Sequence, residues 1–189
     1  MRPDPTITIA TDPAVYPPSE DTFLLLRTTE VREGERFLEI GTGTGLVALH
    51  AAKSARAVAT DANPDAVRLA RQNAIANRLP LAVIRCDLLR GLRGPFDVIA
   101  LNPPYVTDRI GEDWTARAWQ GGETGDAVLL RFLRDAAEHL APGGRIHTVF
   151  PSSLNRVLES ARARFRVRVL AERRMFFEKL IAVELRSPG

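Results

Sequence analysis

The chain has 189 residues and an apolar content of 45%, which suits one well-buried domain and is too short for two of typical size. Its formal net charge of +3, carried almost entirely by arginine, permits an acidic or nucleic-acid partner without arguing for one. The single Cys86 excludes an internal disulfide and the scattered histidines form no zinc-binding pattern, so we predict one domain, residues 1–189, without a metal site.

The first ten residues and the apolar runs bear on the location of the protein. Residues 1–10 lack a basic-then-apolar leader pattern, and no later apolar run approaches bilayer length. We therefore expect a soluble, cytoplasmic protein that does not enter a membrane.

The first predicted element is a helix that begins shortly after Tyr16. Ser19 is a candidate N-cap, and the first turn that follows it is acidic, as the helix dipole favours. Tyr16 and Thr22 could close over a bound cofactor, which would make residues 1–30 a cofactor-closing segment. A capped helix that only packs on the sheet edge explains the same residues equally well.

Apolar runs then alternate with helical patterns, which is typical of a parallel sheet covered on both faces. The predicted strands are residues 37–40, 57–61, 81–86, 96–101, 145–150, 167–172 and 181–185. Stripes at helical spacing predict a helix from the cap Asn63-Pro64-Asp65 to about Asn77, one over residues 129–140 ended by Pro142-Gly143-Gly144, and one over residues 154–165 with Ser152 and Ser153 as candidate caps.

A glycine-rich turn follows the first strand and opens a helix near Leu46. Gly41, Gly43 and Gly45 allow a sharp bend and a ligand close to the main chain, while the helix N-terminus offers free N–H groups to a carboxylate. Leu46 stands where a dinucleotide fingerprint has its third glycine. The spacing therefore counts against NAD and suits a smaller ligand without a pyrophosphate.

Acids stand at the ends of the second and third strands. Asp61 could accept both hydroxyls of a ribose, and Asp87 with the Leu88 N–H could read the amino edge of an adenine. A strand-end Asp is often only a helix cap, and a glycine-rich turn is often only a tight turn. Their joint placement at successive strand ends favours a ligand, and together they describe S-adenosylmethionine.

The sequence Asn102-Pro103-Pro104-Tyr105, after the fourth strand, suits methyl transfer to a planar nitrogen. Such a nitrogen has its lone pair tied up in conjugation, so acceptors must hold its N–H groups before it can attack. The Asn102 side-chain oxygen and the Pro103 carbonyl could be these acceptors, and Tyr105 could lie flat against the planar group. Taken alone, the same residues also fit an ordinary turn.

Residues 106–125 have no clear periodicity. Structureless loops of this length are uncommon in compact domains unless they are lids or binding loops. Because the segment directly follows Tyr105, we predict a substrate lid, with a disordered insertion or a short helix around residues 112–118 as alternatives.

Several motifs of this chain occur together in a known family. They are Tyr16-x-Pro-x-Glu20-Asp21-Thr22-Phe23, the Gly41 to Gly45 turn, Asp87-Leu88-x-x-Gly91-Leu92, Asn102-Pro-Pro-Tyr105-Val106 and Ala118-Trp119-x-Gly121-Gly122-x-x-Gly125. On these motifs the chain resembles the HemK-family protein-glutamine methyltransferases, most closely the short archaeal and eukaryotic type.

The resemblance implies a class I methyltransferase fold, with seven strands of which the last is antiparallel, and S-adenosylmethionine as cofactor. It also implies N5-methylation of the glutamine in the Gly-Gly-Gln tripeptide of a peptide-chain release factor, with Asn102, Pro103 and Tyr105 as the catalytic residues. Cofactor contacts carried over from the family are Thr22, Glu39, Gly41, Asp61, Asp87, Leu88 and Asn102. Archaeal and eukaryotic relatives need a small zinc-binding activator subunit, which is therefore a candidate partner.

Three other functions stay open. A nucleic-acid methyltransferase acting on adenine N6 or guanine N2 faces the same planar nitrogen, and C-terminal arginines could form its phosphate-binding face, although several are expected on solvated surfaces. Those arginines are Arg156, Arg162, Arg164, Arg166, Arg168, Arg173 and Arg174. A dinucleotide-dependent oxidoreductase is disfavoured by Leu46, and a catalytically silent S-adenosylmethionine-binding partner protein fits the same motifs.

Overall fold

The computed structural model describes residues 1–105, 123–175 and 178–188 of the chain, and within these ranges seven strands form one sheet. The strands are β1 (Arg36–Ile40), β2 (Arg56–Asp61), β3 (Leu81–Arg85), β4 (Phe96–Leu101), β5 (Leu140–Pro151), β6 (Arg166–Arg174) and β7 (Lys179–Arg186). Their order is β3-β2-β1-β4-β5-β7-β6, and β7 runs antiparallel to both neighbours while the remaining pairs are parallel. The predicted fold class is therefore confirmed, including its antiparallel last strand.

Helices cover both faces of the sheet. In the described ranges the α-helices are α1 (Glu20–Thr28), α2 (Leu46–Ala51), α3 (Pro64–Ala76), α4 (Ala127–Asp135) and α5 (Asn155–Arg164). Because successive strand residues point to opposite faces, Phe37 of β1 packs with α1, α2 and α3, whereas its neighbour Leu38 packs with α4 and α5. None of the helices in the part of the chain that is described has the length and apolar character to cross a bilayer.

Helix α3 follows its sequence signals. The Asn63 side-chain oxygen accepts the Asp65 backbone N–H at 2.9 Å, and Pro64 occupies the first helical position. Asn77 is the C-cap, and the next residue, Arg78, has a positive φ of 54°. The predicted start and end of this helix are confirmed.

The predicted helix over residues 129–140 ends earlier than its apolar stripe suggested. α4 stops at Asp135, a 3-10 turn follows over Ala136–His139, and β5 begins at Leu140. Leu140 pairs with Phe96 of β4, so sheet hydrogen bonding takes over before the expected Pro142-Gly143-Gly144 stop, which lies within β5.

The predicted caps Ser152 and Ser153 were also wrong, because the N-cap of α5 is Leu154. The Ser152 backbone N–H donates to the Lys179 carbonyl at 2.8 Å and thus extends the contact between β5 and β7. These serines follow the end of β5 and do not start the helix.

An N-terminal strap, residues 8–16, runs along α3 and reaches the carboxyl ends of β1 and β2. The amide of Asn73 exchanges hydrogen bonds of 2.9 and 3.1 Å with the backbone of Ala10, and Asn77 holds Thr8 in the same way. The Asn73 Nδ2 also donates to the carbonyl of Thr44 at 2.9 Å. One buried amide therefore fixes both the strap and the glycine-rich turn.

Candidate active site

A cavity of about 220 Å³ lies at the carboxyl ends of β1, β2, β3 and β4, where open α/β sheets bind their ligands. Every predicted site residue except Gly45 lines it. The predicted residues in its wall are Tyr16, Thr22, Glu39, Gly41, Gly43, Asp61, Asp87, Leu88, Asn102, Pro103 and Tyr105. Residues up to 89 positions apart are thus brought to one place by the parallel strand order.

The glycine-rich turn needs its glycines for two different reasons. Gly41 and Gly43 have φ of 65° and 54°, and a Cβ on Gly43 would lie 3.5 Å from the Tyr16 carbonyl of the strap. Gly45 has φ of 86° and serves as the N-cap of α2, where a Cβ would come within 3.3 Å of the Ala70 side chain. The structure therefore gives Gly45 a packing position against α3 and not a place in the cavity wall.

Glu39 lies in the buried part of β1, one residue before the strand ends, and holds the glycine-rich turn by hydrogen bonds. Its Oε2 accepts the Thr42 hydroxyl at 2.6 Å and the Ala48 backbone N–H at 2.8 Å. Burial raises the pKa of Glu39 to about 8, against the lowering effect of these two hydrogen bonds. The carboxyl group therefore ties β1 to the start of α2 while it also lines the cavity.

Asp61 at the end of β2 is held by the backbone on two sides. Its Oδ2 accepts the Gly43 N–H and its Oδ1 accepts the Asn63 N–H, both at 2.9 Å. Burial raises the pKa of Asp61, and these hydrogen bonds oppose the change. Each carboxylate oxygen has further lone pairs, so the fixed group can still accept two hydroxyls of a ligand.

The predicted adenine end of the cavity contains a partner that the sequence did not indicate. Arg131 of α4 lines the cavity and forms an ion pair of 2.7 Å with Asp87 Oδ2. Leu88 adopts a positive φ of 53°, which is unusual for a residue that is not glycine, and such strained backbone is often found at ligand sites. No spacing rule connects Arg131 with Asp87, because the contact depends on how α4 packs.

Asn102 carries the most informative polar atom of the site. Its Nδ2 lies 3.5 Å from the Thr22 hydroxyl oxygen, at the outer limit of a hydrogen bond. Its Oδ1 is buried and accepts no hydrogen bond from the described residues. A buried acceptor without a donor costs about 1–3 kcal/mol, so this oxygen is suited to an N–H that a ligand brings.

Asp21 is a site residue that sequence reasoning missed, although it lies within a quoted motif. Only 3% of it is exposed, and its carboxylate accepts the hydroxyls of Tyr16 at 3.0 Å and Tyr105 at 3.1 Å. Burial raises the pKa of both phenols, and the charge of Asp21 raises it further. Both tyrosines therefore remain protonated donors at neutral pH.

Most of the predicted lid, residues 106–125, lies outside the described residues, as do Trp114, Trp119 and Gly121. The described end, residues 123–125, leads into Asp126, which is 3% exposed and forms an ion pair of 3.0 Å with Arg156. The lid remains a prediction.

The proposed phosphate-binding arginines are partly used within the protein. Besides Arg156, Arg168 forms an ion pair of 3.1 Å with Glu184, and Arg173 forms one of 2.8 Å with Glu20. These three guanidinium groups are already paired with carboxylates, which weakens the case for a continuous phosphate-binding face.

Comparisons with known proteins show what this chain is similar to. A family model described as "Methyltransferase small domain" matches residues 6–177. The chain is 34% identical over 180 residues to a putative protein N5-glutamine methyltransferase of Methanocaldococcus jannaschii, covering 90% of this chain and 91% of that protein. It is also 37% identical over 139 residues to a tRNA1(Val) (adenine(37)-N6)-methyltransferase of Tolumonas auensis, covering 69% of this chain and 57% of that protein.

Among solved structures, the chain is similar to one in the Mtq2–Trm112 complex of E. cuniculi, which is responsible for methylation of the eRF1 translation termination factor. The TM-score is 0.74 at 24% identity, with 93% of this chain and 99% of that chain covered. At this identity the likeness concerns the fold.

Proposed function

The chain belongs to the family of methyltransferase small domains, whose HemK-type members it resembles, and we propose that it N5-methylates the glutamine of a Gly-Gly-Gln motif in a peptide-chain release factor. Membership of the family implies S-adenosylmethionine as the methyl donor. The acceptor assignment is supported by the M. jannaschii relative, which covers nearly the same length.

The observation that carries the proposal is the buried Asn102 Oδ1 without a donor, at the wall of the cavity. A primary amide is planar and brings two N–H groups, one of which this oxygen can accept. The Pro103 carbonyl is the proposed acceptor for the other, and the ring of Tyr105 is the proposed surface against which the amide plane lies. Held in this way, the amide nitrogen is turned toward the methyl group.

The residues of the opposite wall fit the proposed cofactor. Asp61 is fixed with free lone pairs for ribose hydroxyls, the Gly41 to Gly45 turn leaves room for an amino-acid tail, and Asp87 with Leu88 remains the proposed adenine site. The cofactor supplies a methyl group that is already activated as a sulfonium. The chain's own task is to hold nucleophile and methyl group at attack distance, which accounts for much of the acceleration in such reactions.

A nucleic-acid acceptor is the second candidate, because an adenine N6-methyltransferase is among the relatives. An exocyclic amino group is also planar and would use the same Asn102 oxygen. The ion pairs of Arg156, Arg168 and Arg173 engage three of the seven arginines proposed to contact nucleic-acid phosphates.

Both acceptor classes are tested by incubating the protein with cell extract and methyl-labelled cofactor, followed by protease or ribonuclease treatment. We expect label in a release factor, lost on protease treatment and absent when the Gly-Gly-Gln glutamine is replaced by Glu. Label that is lost on ribonuclease treatment would show that the acceptor is RNA and would contradict the release-factor proposal. Absence of label from both protein and nucleic acid would contradict both proposed acceptors.

We also propose a small activator subunit as partner, by analogy with the E. cuniculi complex. Among the described strands β3 pairs only with β2 and so forms one edge of the sheet. Two exposed large apolar side chains lie on elements at this edge, Ile84 of β3 with 43% exposed and Ile75 of α3 with 78% exposed. Covering them would give such a subunit an apolar contact.

The docking surface is tested by co-expression with the activator homologue of the same genome. The double variant Ile75→Glu, Ile84→Glu should abolish co-purification. Val169→Glu is the matched control, because Val169 is 50% exposed on β6 at the opposite sheet edge and should leave co-purification intact. Equal loss in both variants would argue against the β3 edge.

A further inference from the structure

The buried carboxylate of Asp21 contacts both sides of the candidate active site. Asp21 lies in the first turn of α1, where its Oδ1 accepts the Thr22 backbone N–H at 2.6 Å and lies 3.1 Å from the Tyr16 hydroxyl. Its Oδ2 accepts the Tyr105 hydroxyl at 3.1 Å. Tyr16 belongs to the strap on the cofactor side, whereas Tyr105 belongs to the proposed acceptor side.

The same carboxylate sets the direction of a short hydrogen-bond chain. The Thr22 hydroxyl lies 3.2 Å from Asp21 Oδ1, and since an ionised carboxylate only accepts, the hydroxyl proton points to Asp21. One lone pair of Thr22 Oγ1 accepts the Ser19 backbone N–H at 3.3 Å, and the other is left for Asn102 Nδ2 at 3.5 Å. With its NH2 directed to Thr22, the Asn102 amide keeps its oxygen as a buried acceptor that no described residue occupies.

Tyr105 is oriented by the same group. Its hydroxyl can rotate, but Asp21 Oδ2 offers a charged acceptor within hydrogen-bond distance, and charge-assisted hydrogen bonds are stronger than neutral ones. The raised pKa of Tyr105 keeps the donor proton in place at neutral pH. Because its hydroxyl is held by Asp21, the Tyr105 ring has less freedom to rotate away from the orientation in which a planar acceptor group can lie flat against it.

We propose that Asp21 is a positioning residue for methyl transfer: its buried carboxylate orients the Tyr105 ring directly and the Asn102 amide through Thr22. It acts through these two residues on the acceptor, and the inference rests on the proposed function because it assigns them to the acceptor nitrogen. Removing the charge while keeping the shape should therefore slow transfer much more than it weakens cofactor binding, because Asp21 itself is not assigned to the cofactor.

A simpler role for Asp21 is stabilisation of α1 through the helix dipole. Asp65 provides the matched control, because it occupies the same second position of α3, directly after Pro64 at the first. Its carboxylate pairs with Arg68 at 2.6 Å and does not line the cavity. Asp65→Asn removes a helix-terminal charge of the same kind without touching the site.

The first experiment compares Asp21→Asn with Asp65→Asn in methyl transfer to a release factor. Asp21→Asn should lower kcat about 100-fold, the loss expected when a reacting group is misplaced by about 1 Å. Its Kd for S-adenosylmethionine should stay within about threefold of the wild type, while Asp65→Asn should retain wild-type kcat. Equal kcat values for the two variants would overturn the proposal, as would a loss of kcat that follows a loss of cofactor affinity.

Tyr105→Phe, combined with Asp21→Asn, tests whether Asp21 acts through Tyr105. If Asp21 acts by way of Tyr105, the two substitutions should be strongly non-additive in kcat, because the second removes an interaction that the first has already broken. Simple multiplication of the two effects would show that the residues act independently and would count against the proposal.

A readout without an acceptor separates this inference from the proposed function. In 15N-labelled protein with bound S-adenosylmethionine, the side-chain NH2 signals of Asn102, assigned by their absence in Asn102→Ala, should shift in Asp21→Asn and not in Asp65→Asn. Unchanged Asn102 signals in Asp21→Asn would disprove the positioning role even if the release factor is methylated. If the Asn102 signals shift but the release factor is not methylated, the release factor is rejected as substrate and the positioning role of Asp21 is retained.

Discussion

The backbone N–H of Gly43 donates to Oδ2 of Asp61 at 2.9 Å, which joins the glycine-rich turn after β1 to the acid at the end of β2. The group proposed to hold the ribose therefore also holds the turn proposed to receive the amino-acid tail. Loss of the Asp61 carboxylate should therefore weaken the contacts to both the ribose and the amino-acid tail of the cofactor.

Asp61→Ala is accordingly expected to weaken S-adenosylmethionine binding before it affects anything else. We expect the Kd measured by calorimetry to rise at least about tenfold, or roughly 1.4 kcal/mol. Asp97→Ala is the control, since Asp97 forms an ion pair of 3.1 Å with Arg36 and does not line the cavity. An unchanged Kd in Asp61→Ala would remove Asp61 from the cofactor site.

Asn102→Ala should abolish methyl transfer while the Kd for the cofactor stays within about tenfold, roughly 1.4 kcal/mol. The reason is that the unpaired Oδ1 is assigned to the acceptor nitrogen, whereas the Nδ2 contact to Thr22 is long. Single-turnover transfer and calorimetry measure the two effects separately. Parallel losses of rate and affinity would mean that Asn102 mainly holds the cofactor.

Leu88 and Arg78 have almost the same positive φ, 53° and 54°, but only Leu88 lines the cavity. Glycine at either position relieves backbone strain of about 1 kcal/mol, so Arg78→Gly should be stabilising or neutral in thermal unfolding and leave the Kd for the cofactor unchanged. Leu88→Gly should relieve the same strain yet raise that Kd, because the leucine side chain is lost from the proposed adenine site. Equal Kd values in the two variants would show that the leucine side chain contributes nothing to binding.

Acid stability should depend on His147. The side chain is 1% exposed, neither ring nitrogen has a partner among the described residues, and burial lowers its pKa to about 4. The unfolded chain, with a histidine pKa near 6.5, therefore binds more protons between pH 6.5 and 4. The free energy of unfolding is therefore undiminished by His147 above about pH 6.5. It falls by up to about 3 kcal/mol as the pH falls toward 4, because protonation of His147 then favours the unfolded chain.

Urea unfolding at pH 7 and at pH 5 measures this dependence. His147→Leu should reduce the difference between the two pH values, whereas His139→Leu, at the end of the 3-10 turn, should retain it. A wild-type-like pH dependence in His147→Leu would assign the acid lability to other groups.

The sheet and the general position of the cavity could be predicted from the sequence because they depend on local signals. Apolar runs indicated the strands, and glycines or acids at or just after the ends of β1, β2 and β3 indicated the end of the sheet at which a ligand would bind. Asp21 escaped prediction because its acidic position in α1 has a sufficient local explanation. Its partner Tyr105 is 84 residues away, and only tertiary packing brings the two together.

The errors at α4 and α5 have a related cause. Pro142-Gly143-Gly144 is a good helix stop, but the pairing of Leu140 with Phe96 ends the helix first. Ser152 is a good cap, but its backbone continues the pairing of β5 with β7, and the helix begins only at Asn155. In both places a hydrogen bond from a distant strand outweighed a local preference.

The amide of Asn73 joins the strap at Ala10 to the glycine-rich turn at Thr44. Val15 and Tyr16 of the strap line the cavity, so we predict that a bound ligand leaves by a local opening of the strap. If that opening is slower than methyl transfer, product release limits turnover, and rapid mixing would show a burst of one methyl group per protein molecule. Loosening the amide by Asn73→Ala would then speed the steady state while leaving the burst intact.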